Sequence, residues 1–230
     1  MVALGRVPVR WFAEGPPRIL VERLRVCCTT RCRTTQSRTM RYDVRMEVDP
    51  EKLWLRTYPD PALRRKAQPI TRVSDQVRAA AAAMIALMRK NEGIGLAAPQ
   101  VGLPWRLFVV DVPSGEKRSA TQTPPSATTG PMVYINPLLS DPTGDLETYE
   151  EGCLSLPDIR GDVYRPPTIT ITATDLTGSQ FTHTATGLLA RCWQHEVDHL
   201  DGVLIIDRMT QIFRLKNRAA IRDLERTAEE

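Results

Sequence analysis

The stretch QHEVDHLDG, residues 194–202, restricts what this chain can fold into more than any other. His195 and His199 are four apart, so on a helix both rings leave the same face one turn from each other, with Glu196 a step round. Two neutral imidazoles offer a divalent metal two of its ligands, and the adjacent carboxylate can accept a proton from water that the metal activates. A catalytic site of this kind normally has a third protein ligand, so a distant part of the chain must reach the helix. The plain alternative is a solvated helix face whose charges only confer solubility. The chain has three histidines, and two of them within one five-residue frame favour the metal. The third, His183, lies in the alternating stretch FTHTAT and reads as a strand surface residue.

The segments around this helix predict an α+β fold: mostly antiparallel strands around a central metal-binding helix, with a helix at the C-terminal end. Ser74 reads as the N-cap of a helix through about Lys90, DQVRAAAAAMIALMRK, with Arg89 and Lys90 in its last turn. WRLFVVDV (105–112) and MVYINP (132–137) are apolar, β-rich runs, and PSGEKRSATQTPPSATTG between them is expected to be a mobile loop. ITITATDLTGSQFTHTAT (169–186) alternates around a turn at Leu176 to Gln180, which makes a β-hairpin. The histidine helix starts near Thr186, and one amphipathic helix runs from about Asp207 to Arg226. Upstream, YPDPALRRKAQPI is punctuated by prolines and reads as an extended or turning lead-in.

At 230 residues the chain can form one good-sized domain with a buried core and an appendage. The formal charge of +4 is uneven: residues 1–41 hold nine Arg and two Glu, +7, which leaves about −3 for the rest. Residues 1–45 are therefore read as a separate, disordered basic leader, with a short helix around 17–26. Its composition suits an organellar transit peptide, a nucleic-acid-touching tail, or sequence upstream of a true start at Met40 or Met46. The remaining domain, 46–230, is too acidic in balance to predict stable nucleic-acid binding. No run approaches the roughly 18 apolar residues of a membrane span. Five cysteines, an odd count, give no secreted disulfide framework, so a reducing compartment is expected.

Two cysteines outside the leader are candidates for the third ligand. Cys192 is three residues before His195 on nearly the same helical face, but seven before His199, a rise of about 10.5 Å. A thiolate there cannot share with His199 an ion about 2.0–2.3 Å from each donor, so Cys192 packs beside the site or lines a pocket. Cys153, in YEEGCLSLP (149–157), is remote in sequence, and a fold could bring it to the open side of the metal. Free cysteines are as often plain core residues, so the residues alone leave the choice open.

Three segments, GIGLAAPQ (93–100), EGCLS (151–155) and QHEVDHLDG (194–202), resemble in that order the three signature motifs of peptide deformylase. The likeness extends over roughly residues 53–215, with no gap in any motif. One HExxH is moderately specific; three motifs in this order are very specific. The resemblance implies a metal-dependent amide hydrolase that removes the formyl group from the initiator formylmethionine of nascent polypeptides and releases formate. It implies Cys153 as the ligand joining His195 and His199 on one ion per chain, Fe²⁺, with Zn²⁺ or another divalent metal in its place. Such an ion keeps a position for water and lowers its pKa. Glu196 is implied as the base, and the Gln100 amide with the Leu154 backbone N–H as donors to the developing oxyanion. Ile94 and Gly95 on one side and Gly152 on the other are implied to hold the substrate main chain, as an added strand. Ile94, Leu188, Cys192 and a face of His195 are implied to surround the methionine side chain. Without the resemblance, Gln100 reads as a loop residue capping a turn, GIG as a glycine-rich turn, and the Leu188–Cys192 stripe as core.

Arg191 stands where relatives also have an apolar residue, which predicts a more polar pocket rim. Arg165 and Asp198 match a family pair that buttresses the metal helix. The implied partners are N-formylmethionyl nascent peptides and, secondarily, the ribosome through the C-terminal helix. Formyl-initiated translation points to the bacterial cytoplasm, with plastid or mitochondrion as the alternative if the leader is a transit peptide. Two rivals compete. An HExxH zinc peptidase needs a downstream ligand, and no histidine follows His199 while the next glutamate is Glu225. An RNA-binding factor using the leader has no need of Glu196 or Gln100.

Overall fold

The computed structural model describes residue 49 and residues 52–228. The basic leader, its expected helix near 17–26 and the boundary at 45 lie outside the described residues. In chain order the elements are α1 (Asp75–Lys90), β1 (Gly95–Ala97), β2 (Leu107–Val110), β3 (Met132–Thr143), β4 (Glu147–Cys153), β5 (Leu156–Arg165), β6 (Thr168–Thr174), β7 (Gln180–Thr186), α2 (Gly187–Leu200), α3 (Ile205–Arg208), α4 (Gln211–Lys216) and α5 (Arg218–Thr227). The strands form a five-stranded sheet in the order β1-β2-β3-β6-β7 and a two-stranded sheet β4-β5. Each pairing is antiparallel. The fold is α+β.

α1 forms where the sequence places it. Ser74 Oγ accepts from the Val77 N–H at 3.4 Å, Asp75 lies in the first turn, and Arg89 and Lys90 lie in the last. Val77, Ala80, Ala81, Met84 and Met88 make one buried stripe. It packs in a cluster with Leu96, Leu107, Val109 and Ile135 of β1, β2 and β3. β6 alternates cleanly, burying Ile169, Ile171 and Ala173, while β7 buries Ala185 alone. On the outer face of the β6–β7 hairpin Thr168–Thr186, Thr170–Thr184 and Thr172–Thr182 are hydrogen-bonded cross-strand pairs, each at 2.9 Å. His183 is exposed on β7, as a surface strand residue.

Three expectations change. The single helix expected over 207–226 is three short ones. Met209 is extended and bridges to Val163, and the Thr210 N–H donates to the Asp162 carbonyl at 2.9 Å, so the chain leaves the helical path to pair with β5. Asn217 marks the second break, its Nδ2 donating to the Arg160 carbonyl at 2.7 Å. The 113–130 stretch is irregular but anchored: Ser126, Ala127 and Thr128 are buried, and the Thr128 N–H donates to the Val112 carbonyl at 2.8 Å. Finally, β4 and β5 have no counterpart among the strands expected from the sequence. Along β5 the buried positions include Gly161 and Arg165, which hide its alternation. A side chain at 161 would meet Met209 and Phe213 at 3.0–3.1 Å, so close helix packing asks for glycine there.

Candidate metal centre and active site

α2 is a core helix, buried along most of its length. Its Trp193 packs edge-on against Tyr134 at 5.6 Å, and Tyr134 stacks on Phe108 at 4.7 Å. These large rings hold the helix against the main sheet. Leu188, Arg191, Cys192, His195 and Glu196 of the same helix line a narrow cleft that opens to solvent. The opposite wall comes from two other places. One is Gly93, Ile94 and Gly95 at the start of β1, and the other is Glu151, Gly152 and Cys153 at the end of β4, with Leu154 in the turn that follows. β1 is an edge strand of its sheet.

The register of β4 against β5 slips between Gly152 and Cys153. Cys153 Sγ lies 3.1 Å from His199 Nε2, and the donor atoms of Cys153, His195 and His199 all fall within 4.8 Å of one another. Among the described residues these three form the one such cluster. Cys192 stands apart from it, with its Sγ 3.7 Å from the Ile94 carbonyl. Glu225, the ligand a downstream-carboxylate site would need, instead accepts from the Tyr58 hydroxyl at 2.6 Å.

Behind the histidines stands Glu151, which the motifs alone do not single out. Glu151 is buried and accepts from four donors: Arg165 Nε at 2.7 Å and Nη2 at 2.9 Å, Arg191 Nη1 at 2.9 Å, and His195 Nδ1 at 3.1 Å. Burial works to raise this carboxyl, but the hydrogen bonds and charges of His195 and Arg165 outweigh it and hold it well below the usual range. With Nδ1 committed to Glu151, His195 has Nε2 left for another partner. The signal for Glu151 in the sequence is its place in EGCLS, since a metal-binding histidine needs an orienting carboxylate.

Arg165 also donates to Asp198 at 2.8 Å, and Arg208 donates to the same carboxylate at 2.7 Å. The expected Arg165–Asp198 pair is therefore present, extended by Arg208 from α3. Arg191 is not a solvated rim residue. It is buried, bonded to Glu151 and to the carbonyls of Val163 and Glu147 at 2.9 and 2.8 Å.

Burial pushes the Glu196 carboxyl up to about 7, aided by the charge of Glu151 and opposed by those of His195 and Arg165. Its Oε2 is buried with no partner among the described residues. Burial, with the nearby His195 and Arg165 charges, keeps His199 neutral by pulling its pKa well down. Burial disfavours the His195 cation, but contacts with Cys153 and Glu151 reverse that and raise it. Gln100 is fixed at both ends of its amide: Oε1 accepts from the Ala97 N–H at 2.8 Å, and Nε2 donates to Ser155 Oγ at 3.2 Å and lies 3.5 Å from Cys153 Sγ. Gly95 is squeezed against the helix, since a Cβ there would overlap the Glu196 carboxylate and sit 2.8 Å from Cys192 Sγ.

A family model described as polypeptide deformylase matches residues 52–214. The chain belongs to the peptide deformylase family. Peptide deformylase 2 of Gloeobacter violaceus is 46% identical over 157 residues, 68% of this chain and 79% of that protein. The crystal structure of a Synechococcus elongatus peptide deformylase in complex with actinonin aligns with a TM-score of 0.64 at 38% identity, covering 75% of this chain and 86% of that one. A plant peptide deformylase structure aligns with a TM-score of 0.68 at 39% identity, covering 77% and 91%. Peptide deformylases are metal-dependent hydrolases that remove the N-formyl group from nascent polypeptides, and this chain is an enzyme of that kind. Bacterial and plant relatives fit a cytoplasmic or plastid location. No helix among the described residues is long and apolar enough to cross a membrane.

Proposed function

We propose that Cys153, His195 and His199 hold one divalent ion per chain, Fe²⁺ in the cell, with Zn²⁺ or another divalent metal able to replace it. The observation that carries this is the convergence of one thiol and two imidazoles, from two distant segments, to within 4.8 Å. The donors suit a metal ion, because His199 is kept neutral and His195 is oriented by Glu151. A bound ion supplies Lewis acidity toward water and toward the formyl oxygen.

The chain's own residues do the rest. Glu196, lifted to about 7, takes a proton near neutral pH and passes it to the departing amine nitrogen. Gln100 Nε2 and the Leu154 N–H donate to the formyl oxygen as it gains charge. Ser155 and Ala97 hold the Gln100 amide in place, and the Nε2 hydrogen that lies toward Cys153 Sγ is the one free to turn to the formyl oxygen. Ile94 and Gly95 on the open edge of β1, with Gly152 across the cleft, pair with the peptide main chain. Ile94, Leu188 and Cys192 receive the methionine side chain. The C–N bond of the formamide breaks, giving formate and a free N-terminus.

The test is anaerobic hydrolysis of a formyl-methionyl peptide, with metal content, for wild type, Cys153→Ala and Glu196→Ala. The wild type should hold metal and turn over. Cys153→Ala should lose both, and Glu196→Ala should keep metal and lose turnover. Metal retained by Cys153→Ala would place the third ligand elsewhere.

In wider context, we read residues 1–45 as a leader separate from a catalytic domain over 46–230. The setting is the bacterial cytoplasm, or a plastid or mitochondrion if that leader is a transit peptide. Contact with the ribosome through the C-terminal helices is favoured by a groove there, in which Arg214, Arg218 and Arg222 outnumber Asp207 and Glu225 beside Leu215 and Ile221.

A further inference from the structure

The pocket assigned to the methionine side chain has an unexpected neighbour. Arg191, one residue before Cys192, lines both the active-site cleft and a second, more open groove that also borders Leu188. The groove is walled by Glu116, Lys117, Arg118, Glu147, Tyr149 and Pro167, and Arg191 lies with its guanidinium 5.5 Å from the centre of the Tyr149 ring. Arg191 therefore borders both spaces, with its guanidinium beside the Tyr149 ring of the groove.

We propose that Arg191 lets this pocket accept an oxidised initiator side chain, so that peptides beginning with N-formylmethionine sulfoxide are substrates as well. The proposal rests on the reading that Ile94, Leu188 and Cys192 receive the methionine side chain.

The hydrogen-bond inventory carries it. Arginine has five N–H donors. Two on Nη1 go to Glu151 and the Val163 carbonyl, and one on Nη2 goes to the Glu147 carbonyl. The Nε hydrogen and the second on Nη2 have no partner among the described residues, and the open spaces beside the side chain are the cleft and the groove. The three bonds fix the fork in place, so the remaining donors are already oriented. The charge also survives its neighbours: Arg165, Arg191 and Arg208 surround two carboxylates, Glu151 and Asp198, which leaves one positive charge over.

The thioether sulfur of methionine is a weak acceptor. A sulfoxide oxygen is a strong one, and in a purely apolar pocket its desolvation would exclude it. Here a charged donor offsets that cost, and the groove beyond Leu188 has room for the extra oxygen. The reaction is unchanged: water adds to the formyl carbon, the C–N bond breaks, formate leaves, the amine gains the proton, and the sulfoxide is untouched.

The experiment measures kcat/KM of the metal-loaded full chain for three peptides identical except for formyl-methionine, formyl-methionine sulfoxide or formyl-norleucine at the first position. Wild type should process the sulfoxide within about tenfold of methionine, and Arg191→Leu should lower the sulfoxide-to-methionine ratio by about tenfold or more, the scale of one charged hydrogen bond. Arg191→Lys should retain more of the ratio than Arg191→Leu. Because each value is a ratio on one enzyme, any general loss from loosening Glu151 cancels. If Arg191→Leu fails to fold, the wild-type ratio and the lysine variant decide. A wild type that disfavours the sulfoxide by more than about tenfold, or a ratio unmoved by the leucine variant, overturns the proposal. Loss of formyl-methionine turnover in the metal-loaded wild type would sink the pocket reading itself, a separate result.

Discussion

Replacing Glu151 with glutamine should weaken the fold and the metal site together. The carboxylate is 1% exposed and accepts four hydrogen bonds, three from guanidiniums and one from His195. Glutamine keeps the volume but removes the charge, and it turns one acceptor oxygen into an amide NH₂ that faces other donors. Arg165 keeps Asp198, and Arg191 keeps two carbonyls, so neither cation is left wholly alone. Removing one partner of a buried ion pair costs about 3–5 kcal/mol. At roughly 2–4 °C per kcal/mol for a domain of this size, Tm should fall by about 6–20 °C. Metal affinity should fall by about 10–100-fold, because His195 loses the acceptor that orients its ring. The assays are thermal unfolding of the metal-free protein and a chelator competition titration. The pH dependence has a definite sign. Folding lowers this carboxyl's pKa, so its stabilisation is complete above the unfolded value, about 4.3, and drains away as pH falls toward the folded value. The gap between wild type and variant should be full at pH 7 and narrower in acid. An equal Tm and an equal metal affinity at pH 7 would refute the reasoning.

Three shorter predictions follow from the same geometry. Gln100→Leu should keep metal and lose about 10²–10³ in kcat, and undiminished kcat would remove it as an oxyanion donor. Gly95→Val should fold, by circular dichroism, yet lose at least about a hundredfold in turnover, because its side chain displaces Glu196; an active variant would mean that the carboxylate has room to move. Asp198→Ala should lower Tm by releasing Arg165 and Arg208, and an unchanged melting point would show that this ion cluster does not buttress α2.

What could be read from the sequence was whatever one local pattern determined. α1 declared itself through a Ser cap, an apolar stripe and basic residues at its end. The β6–β7 hairpin declared itself through alternation around a turn expected at Leu176 to Gln180, one residue later than the turn between Thr174 and Gln180. The residues expected at the site, from Ile94 to His199, share one cleft or its immediate wall. Features set by distant contacts were hidden. β5 carries glycine and arginine at buried positions because α4 presses on Gly161 and because Arg165 is neutralised by Glu151 and Asp198. The breaks in the C-terminal helix exist because β5 captures the backbone at Met209 and Thr210. Glu151 looked like one acid among several in ETYEEGC. Its role emerges only when Arg165, Arg191 and His195 arrive from elsewhere.

The hydrogen bond from Tyr58 to Glu225 joins residues 167 positions apart. The Tyr58 N–H also donates to the Ser155 carbonyl, and Ser155 holds Gln100; Ile221 and Leu224 of α5 share a cluster with Tyr58 and Cys153. During vectorial synthesis the lead-in segment emerges first and must wait for the last helix before this wall of the cleft can close. The contact between the lead-in and α5 thus forms late, after residue 225 is free to fold back.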